Sequence, residues 1–369
     1  MVCEEEALIQ KVSELYDEIS SLESLKPCNH VDTLFTKLVV TCMSPTSPHF
    51  HINSLSKSLQ QMRSNLIRLC GQAESLLEFH FSDLLAKFDS PIHHLHVFPY
   101  FSNYLKLSLL EFSILRRHCP VLPSAVAFVG SGPLPLTSIV LATRHLTSTV
   151  FHNYDLDLLA NSKASNLVSL DPDLKTRMVF HTCDIMKVTE ELKQYEVVFL
   201  AALVGMEKEE KLRVIKHLSE FMSEGAYLMV RSAHGGRAFL YPVVEDCDLV
   251  GFEVLSVFHP TDEVINSVII AQKKMIFDDN NDNDDNRDYL SVNSDKLEED
   301  ENEKVMISGF DRKNNGVMHN DKDSDDDDGC LSVNSSKQEK DENEKVMLSG
   351  GIDHKNNNGV VHNNKCSEI

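Results

Sequence analysis

The eleven residues Ala125-Val126-Ala127-Phe128-Val129-Gly130-Ser131-Gly132-Pro133-Leu134-Pro135 constrain the fold more than any other stretch of the chain. Five apolar residues in a row are too few for a buried helix and read as a strand. Two glycines around one serine then end it in a tight turn. From there strands and helices alternate. Strands are predicted at about 149–154, 178–181, 196–201, 226–231, 253–258 and 267–272, and helices through residue 146, over 158–170 and over 207–222. Strands separated by helices require crossovers, and crossovers build a mainly parallel, doubly wound sheet.

Upstream of Pro123 the pattern is helical throughout. Ile9, Val12, Tyr16, Ile19 and Leu22 recur at steps of three and four, and Ser54 is placed to cap a second run through Leu55, Leu59, Met62, Leu66 and Leu69. A third run, Leu76 to Phe88, stops at Ser90-Pro91, and a fourth extends from about Tyr100 to His118. The expected organisation is a helical domain over 1–120, an α/β domain over 121–277 and a tail over 278–369. In the tail, residues 290–309 recur at 331–350 with 16 of 20 positions identical and a period of 41. Asp, Asn, Ser and Lys dominate it, so it buries too little apolar surface to offset its ordering entropy and is expected to be disordered.

Charge follows the same division. The chain carries −22, of which the tail supplies −14 through 25 acids against 11 bases. A mildly acidic body excludes nucleic acid and anionic membrane surfaces as main partners, since either calls for a basic face. The nine cysteines are scattered and odd in number, with no C-x-x-C pair, which fits reduced thiols better than disulfides or a zinc site. The opening Met1-Val2-Cys3-Glu4-Glu5-Glu6 is too acidic for a signal or transit peptide. The longest apolar run, Val197 to Met206, is half the length of a membrane span. A soluble, cytoplasmic chain without a membrane span is the expectation.

The glycine turn is the strongest chemical signal. Gly130, Ser131 and Gly132 allow a ligand close to the backbone, but Pro135 stands where G-x-G-x-x-G has its third glycine, and two prolines remove N–H donors that a pyrophosphate would use. The turn therefore suits a nucleoside without phosphates. Asp155, 25 residues after Gly130, would bond its ribose hydroxyls, and Asp184 after the third strand would lie near its adenine. Glycine, aspartate and aspartate at three successive strand ends are the layout of an S-adenosylmethionine-dependent methyltransferase fold of Rossmann type. In the helical part, Glu74 and Glu78 are one turn apart, and Tyr100, Tyr104 and Glu111 are predicted to share one helix face. A carboxylate and a phenol on one site could handle the proton of an amine. Arg231, His234 and Arg237, around Gly235-Gly236, could clamp a carboxylate. His93, His94 and His96 lack the spacing of paired metal ligands on one helix face, and the acidic run Asp323–Asp328 lacks the glycine and the glutamate of a calcium loop; no metal site is expected.

Three segments carry a family resemblance: Cys70-Gly71-Gln72-Ala73-Glu74 through Glu78-Phe79-His80-Phe81-Ser82, Phe98-Pro99-Tyr100-Phe101-Ser102-Asn103-Tyr104, and Val129 through Pro135. Together they resemble plant nicotianamine synthase over residues 1 to about 275. The resemblance implies a helical domain capping a methyltransferase-like domain, and an aminocarboxypropyltransferase activity. In it, three S-adenosylmethionine molecules are condensed, an azetidine ring closes, three methylthioadenosines leave, and the product chelates iron, zinc and copper. S-adenosylmethionine is then the substrate, and no cofactor is implied. The family's essential glutamate and tyrosine fall in the first two segments, which leaves Glu78 with Tyr104, or Glu74 with Tyr100, as the catalytic pair. The rivals are a small-molecule methyltransferase and a non-catalytic protein with an acidic arm. A homo-oligomer is left open.

Overall fold

The computed structural model describes residues 2–47 and 50–275, so the duplicated tail and its expected disorder lie outside the described residues. Four long helices come first: α1 (Val2–Ser20), α2 (Asn29–Cys42), α3 (Lys57–Leu85) and α4 (Phe101–His118). The strands and helices that follow are β1 (Ala125–Val129), α5 (Leu136–Val140) with a π turn at Leu141–His145, β2 (Val150–Asp155), α6 (Leu158–Ser169), α7 (Leu174–Arg177), β3 (Met178–Thr182), β4 (Val197–Leu200), α8 (Lys208–Phe221), β5 (Tyr227–Ser232), β6 (Phe252–Phe258) and β7 (Ser267–Lys273).

The expected second and third helical runs are one helix. α3 continues for 29 residues, about 43 Å at 1.5 Å per residue, and is capped by the Ser56 hydroxyl, which accepts from Leu59 N–H. Gly71 lies inside it. A β-carbon there would stand 3.3 Å from Met206 Sδ, so the missing side chain lets the helix lie close on the loop after β4. α2 was not among the predicted runs. Its Val31, Leu34, Leu38 and Cys42 are buried, and the last three share a core with Leu8, Val12, Leu15 and Ile19 of α1.

The sheet has seven strands in the order β3-β2-β1-β4-β5-β7-β6, parallel except for β7, which runs antiparallel between β5 and β6. This is the Rossmann-like arrangement of the methyltransferase fold. All four residues of β4 are buried, as a strand covered on both faces requires. One face carries Val126, Phe128, Phe199 and Ile270, and α4 covers it through Leu107, Ile114 and Leu115. α8 covers the other through Val214, Ile215 and Leu218. The helices α1 and α2 pack on the segment after β5, at Ala233, Ala238, Phe239 and Leu240. Helices and sheet therefore share their cores. The order reverses between β1 and β4, so a crevice opens there at the carboxyl edge, where doubly wound sheets bind ligands.

Candidate active site

That crevice is a cavity of about 700 Å³ under α3 and α4. Its floor is the turn after β1. Gly130 (φ +83°) donates its N–H to Tyr154 O at 2.8 Å, and Gly132 (φ +67°) donates to Asp155 Oδ2, also at 2.8 Å. Both angles lie in the left-handed region that only glycine enters freely. A β-carbon on Gly132 would stand 2.7 Å from Glu78 Oε2, so the second glycine is what admits the carboxylate of α3 to the floor. Asp155 Oδ1 accepts from Asp157 N–H at 3.0 Å, and Asp184 Oδ1 from Met186 N–H at 3.0 Å, which fixes both carboxylates at their strand ends. The Ser131 hydroxyl, on the same floor, is buried without a partner among the described residues.

The roof carries two carboxylate–phenol pairs. Tyr104 donates its hydroxyl to Glu78 Oε1 at 3.3 Å, and Tyr241 donates to Glu74 Oε1. Burial pushes Glu78 up to about 8, and the nearby charges of Glu74 and Asp155 add to it; the Tyr104 hydrogen bond and Arg231 oppose. Burial pushes Glu74 up to about 7 against the Tyr241 hydrogen bond and Arg231. Both phenols, buried beside carboxylates, are held well above their ordinary range. A carboxylate raised in this way can accept a proton near neutral pH, and each of the two has a hydroxyl donor on it.

Arg231 departs from expectation. Its Nε and Nη2 bond Glu111 at 2.7 and 3.0 Å, and Nη2 also reaches Thr137 Oγ1 at 2.7 Å. Glu111 therefore does not join the tyrosines; it crosses from α4 to the sheet and takes the Nε–Nη2 edge of the guanidinium. Only Nη1, without a hydrogen bond to the described residues, is left for a ligand. His234 is not in the cavity. The chain turns at Gly235 just after β5, and the His234 ring stacks on His259 with centroids 4.0 Å apart. Arg237 turns away as well and donates to Asp262 O. Tyr100 precedes α4 rather than sharing its face, packs its ring against Phe98 and lines a smaller, adjoining cavity of about 110 Å³. Of the predicted residues, Glu74, Glu78, Tyr104, Gly130, Ser131, Gly132, Asp155, Asp184 and Arg231 line the main cavity together.

Three contributors carried no sequence signal. Tyr241 follows no motif. Asn266 stands one residue before β7, and since Arg231 pairs with Val268, the alternation of strand side chains puts Asn266 on the face of Arg231. Its Nδ2 is buried without a partner among the described residues, and Asn266 lines both cavities. Lys211 of α8 is 1 % exposed and donates to Ala201 O and Ala202 O at 3.1 and 2.9 Å, which pins the loop after β4. Burial alone brings its amine down to about 7. Among the described residues, the one cluster with metal-ligand spacing is Glu245, Cys247 and Asp248, far along the chain from the three histidines, and Lys208 already bonds Asp248 there.

The nicotianamine synthase family model matches residues 2–278. A probable nicotianamine synthase of Arabidopsis thaliana is 60% identical over 273 residues, covering 73% of this chain and 84% of the relative. The nicotianamine synthase of Solanum lycopersicum is 60% identical over 274 residues, covering 74% and 86%. Among solved structures, a mutant of MtNAS in complex with S-adenosylmethionine superposes with a TM-score of 0.60 at 20% identity, over 72% of this chain and 98% of that one. MtNAS in complex with MTA and tNA matches equally, at 0.60 and 20%, over 72% and 97%. These two similarities establish the fold. With the family match across three quarters of its length, the chain belongs to the nicotianamine synthase family.

Proposed function

We propose that the chain condenses three S-adenosylmethionine molecules into nicotianamine, with release of three methylthioadenosines. The observation that carries this is the Glu78–Tyr104 pair set directly against the glycine turn in the cavity. A sulfonium offers three carbons to attack, and the enzyme selects among them by orientation. Here the α-amine of an acceptor attacks the γ-carbon of the donor's aminocarboxypropyl arm. The N–C bond forms, the C–S bond breaks, and its electron pair discharges the sulfonium to a thioether. The amine must arrive neutral, and Glu78 takes its proton. Azetidine closure is the same displacement within one molecule.

The other residues fit around this step. Asp155 keeps lone pairs for the ribose hydroxyls, Asp184 lies at the adenine end, and Gly130, Ser131 and Gly132 bring the backbone against the nucleoside. Nη1 of Arg231 and Nδ2 of Asn266 are the free donors for a substrate carboxylate. S-adenosylmethionine is consumed as substrate, and nothing in the step calls for a resident cofactor. The product's carboxylates and amines suit iron, zinc and copper, so we assign the chain to metal homeostasis. The scattered cysteines, free wherever described, suit the cytoplasm.

Mass spectrometry of the purified chain with S-adenosylmethionine alone tests this. Methylthioadenosine and nicotianamine in a 3:1 ratio are expected. S-adenosylhomocysteine, appearing only when an acceptor is added, would make the chain a methyltransferase and remove the proposal. Deletion of residues 278–369 should leave that turnover essentially unchanged, because the family match stops at residue 278 and every residue of the proposed site lies before it. A large loss in the truncated chain would place part of the active machinery in the tail.

A further inference from the structure

Each displacement in the reaction proposed above liberates a proton from a substrate amine, so the site must accept protons repeatedly from an ammonium, a much weaker acid than an ordinary carboxylic acid. A single solvated carboxylate is poorly matched to that task. Glu74 and Glu78 stand at i and i+4 on α3, so their carboxylates share one face, and both line the main cavity and the smaller one. Each accepts a hydrogen bond from its own phenol, Tyr241 from the segment after β5 and Tyr104 from α4. The groups facing the pair are Arg231 on β5, Asp155 at the end of β2, the two phenols and Cys70 one turn back on α3. Arg231, the cation among them, is already bonded to Glu111. Two like charges so enclosed oppose each other's ionisation, so the protonation state of one bears on the other.

We propose that Glu74, held by Tyr241, shares one proton with Glu78 and thereby makes Glu78 basic enough to deprotonate the acceptor's ammonium. Glu74 is thus a positioning residue that acts through Glu78. The inference rests on the acid–base role of Glu78 given above. Its structural support is the shared cavity and the second phenol; the upward push that the charge of Glu74 gives Glu78 agrees with it.

The test is the pH–rate profile of Glu74→Gln beside the wild type, with S-adenosylmethionine binding by calorimetry and an infrared titration of the carboxylates. Loss of the Glu74 charge should move the acid limb to lower pH and lower the plateau above pH ~8 several-fold, since a weaker base is left. S-adenosylmethionine binding should persist, Tyr241→Phe should shift the limb in the same direction by less, and Glu74→Asp should restore it in part. An unmoved limb, or loss of S-adenosylmethionine binding in Glu74→Gln, overturns the inference. The infrared titration stands apart from turnover. If the wild type makes no nicotianamine, the proposed function falls, while a Glu78 band that titrates at lower pH in Glu74→Gln still establishes the shared proton, and an unshifted band refutes it.

Discussion

Glu78→Gln should cost nicotianamine formation about 10²-fold or more at pH 8, the usual contribution of a positioned general base, and leave S-adenosylmethionine bound. Glutamine keeps the shape of the side chain and can still accept from Tyr104, but it cannot take a proton from an ammonium. Stability separates this chemistry from folding. Burial lifts Glu78 from 4.5 to about 8, so the folded protein holds that proton more tightly than the unfolded chain does. Its contribution to stability is complete below pH ~4.5 and is lost as pH rises toward 8. The substituted glutamine carries no charge at any pH. The melting temperature of the variant should therefore gain on the wild type between pH 5 and 8, while activity stays low throughout. Equal loss of binding and turnover, or a lower melting temperature at pH 8, would move Glu78 from chemistry to structure.

Glu111→Ala should be the most destabilising single change at this site. Glu111 is 1 % exposed and Arg231 8 % exposed, and the two are joined by a pair of hydrogen bonds across the interface between α4 and β5. Removing the carboxylate leaves a guanidinium that cannot shed its charge in a low-dielectric site, with the Thr137 hydroxyl and the Phe128 ring as its neutral partners among the described residues. Breaking a buried pair in this way typically costs about 3–5 kcal/mol. For a chain of this size that lowers the melting temperature on the order of 10 °C, readable by calorimetry. The double change Glu111→Leu with Arg231→Met should recover most of the stability, because apolar residues of similar volume replace a buried pair at little cost. It should not recover activity, since Nη1 of Arg231 goes with the guanidinium. Full activity in the stable double variant would leave Arg231 with a structural role alone.

Much of this molecule was legible before its structure. The apolar run of β1 ending at Gly130, the strands and helices that follow it and the acidic ends of β2 and β3 all depend on neighbours in sequence, and all lie where periodicity and turn chemistry put them. Failures came where a residue's role depends on a distant element. The apolar pattern left a gap between Leu69 and Leu76, yet one helix runs through it, and the loop after β4 takes the space that a side chain at Gly71 would fill. Glu111 sits at the right step to join Tyr104, but a charge on the sheet 120 residues away draws it across the interface. His234 and Arg231, three residues apart, part company because the chain turns at Gly235.

Sequence by itself determined the methyltransferase-like sheet, the helical character of the segment before it and the family, but not α2 or the continuity of α3, because local patterns of apolar, glycine and acidic residues carry the first three. Only the tertiary structure decided which glutamate meets which tyrosine. Glu74 and Glu78 lie on one helix and are equivalent by spacing. What tells them apart is that Tyr104 comes from α4 and Tyr241 from beyond β5, at separations of 26 and 167 residues. No helical or strand period spans such distances. The pairing is set by how α3 lies across the carboxyl edge of the sheet.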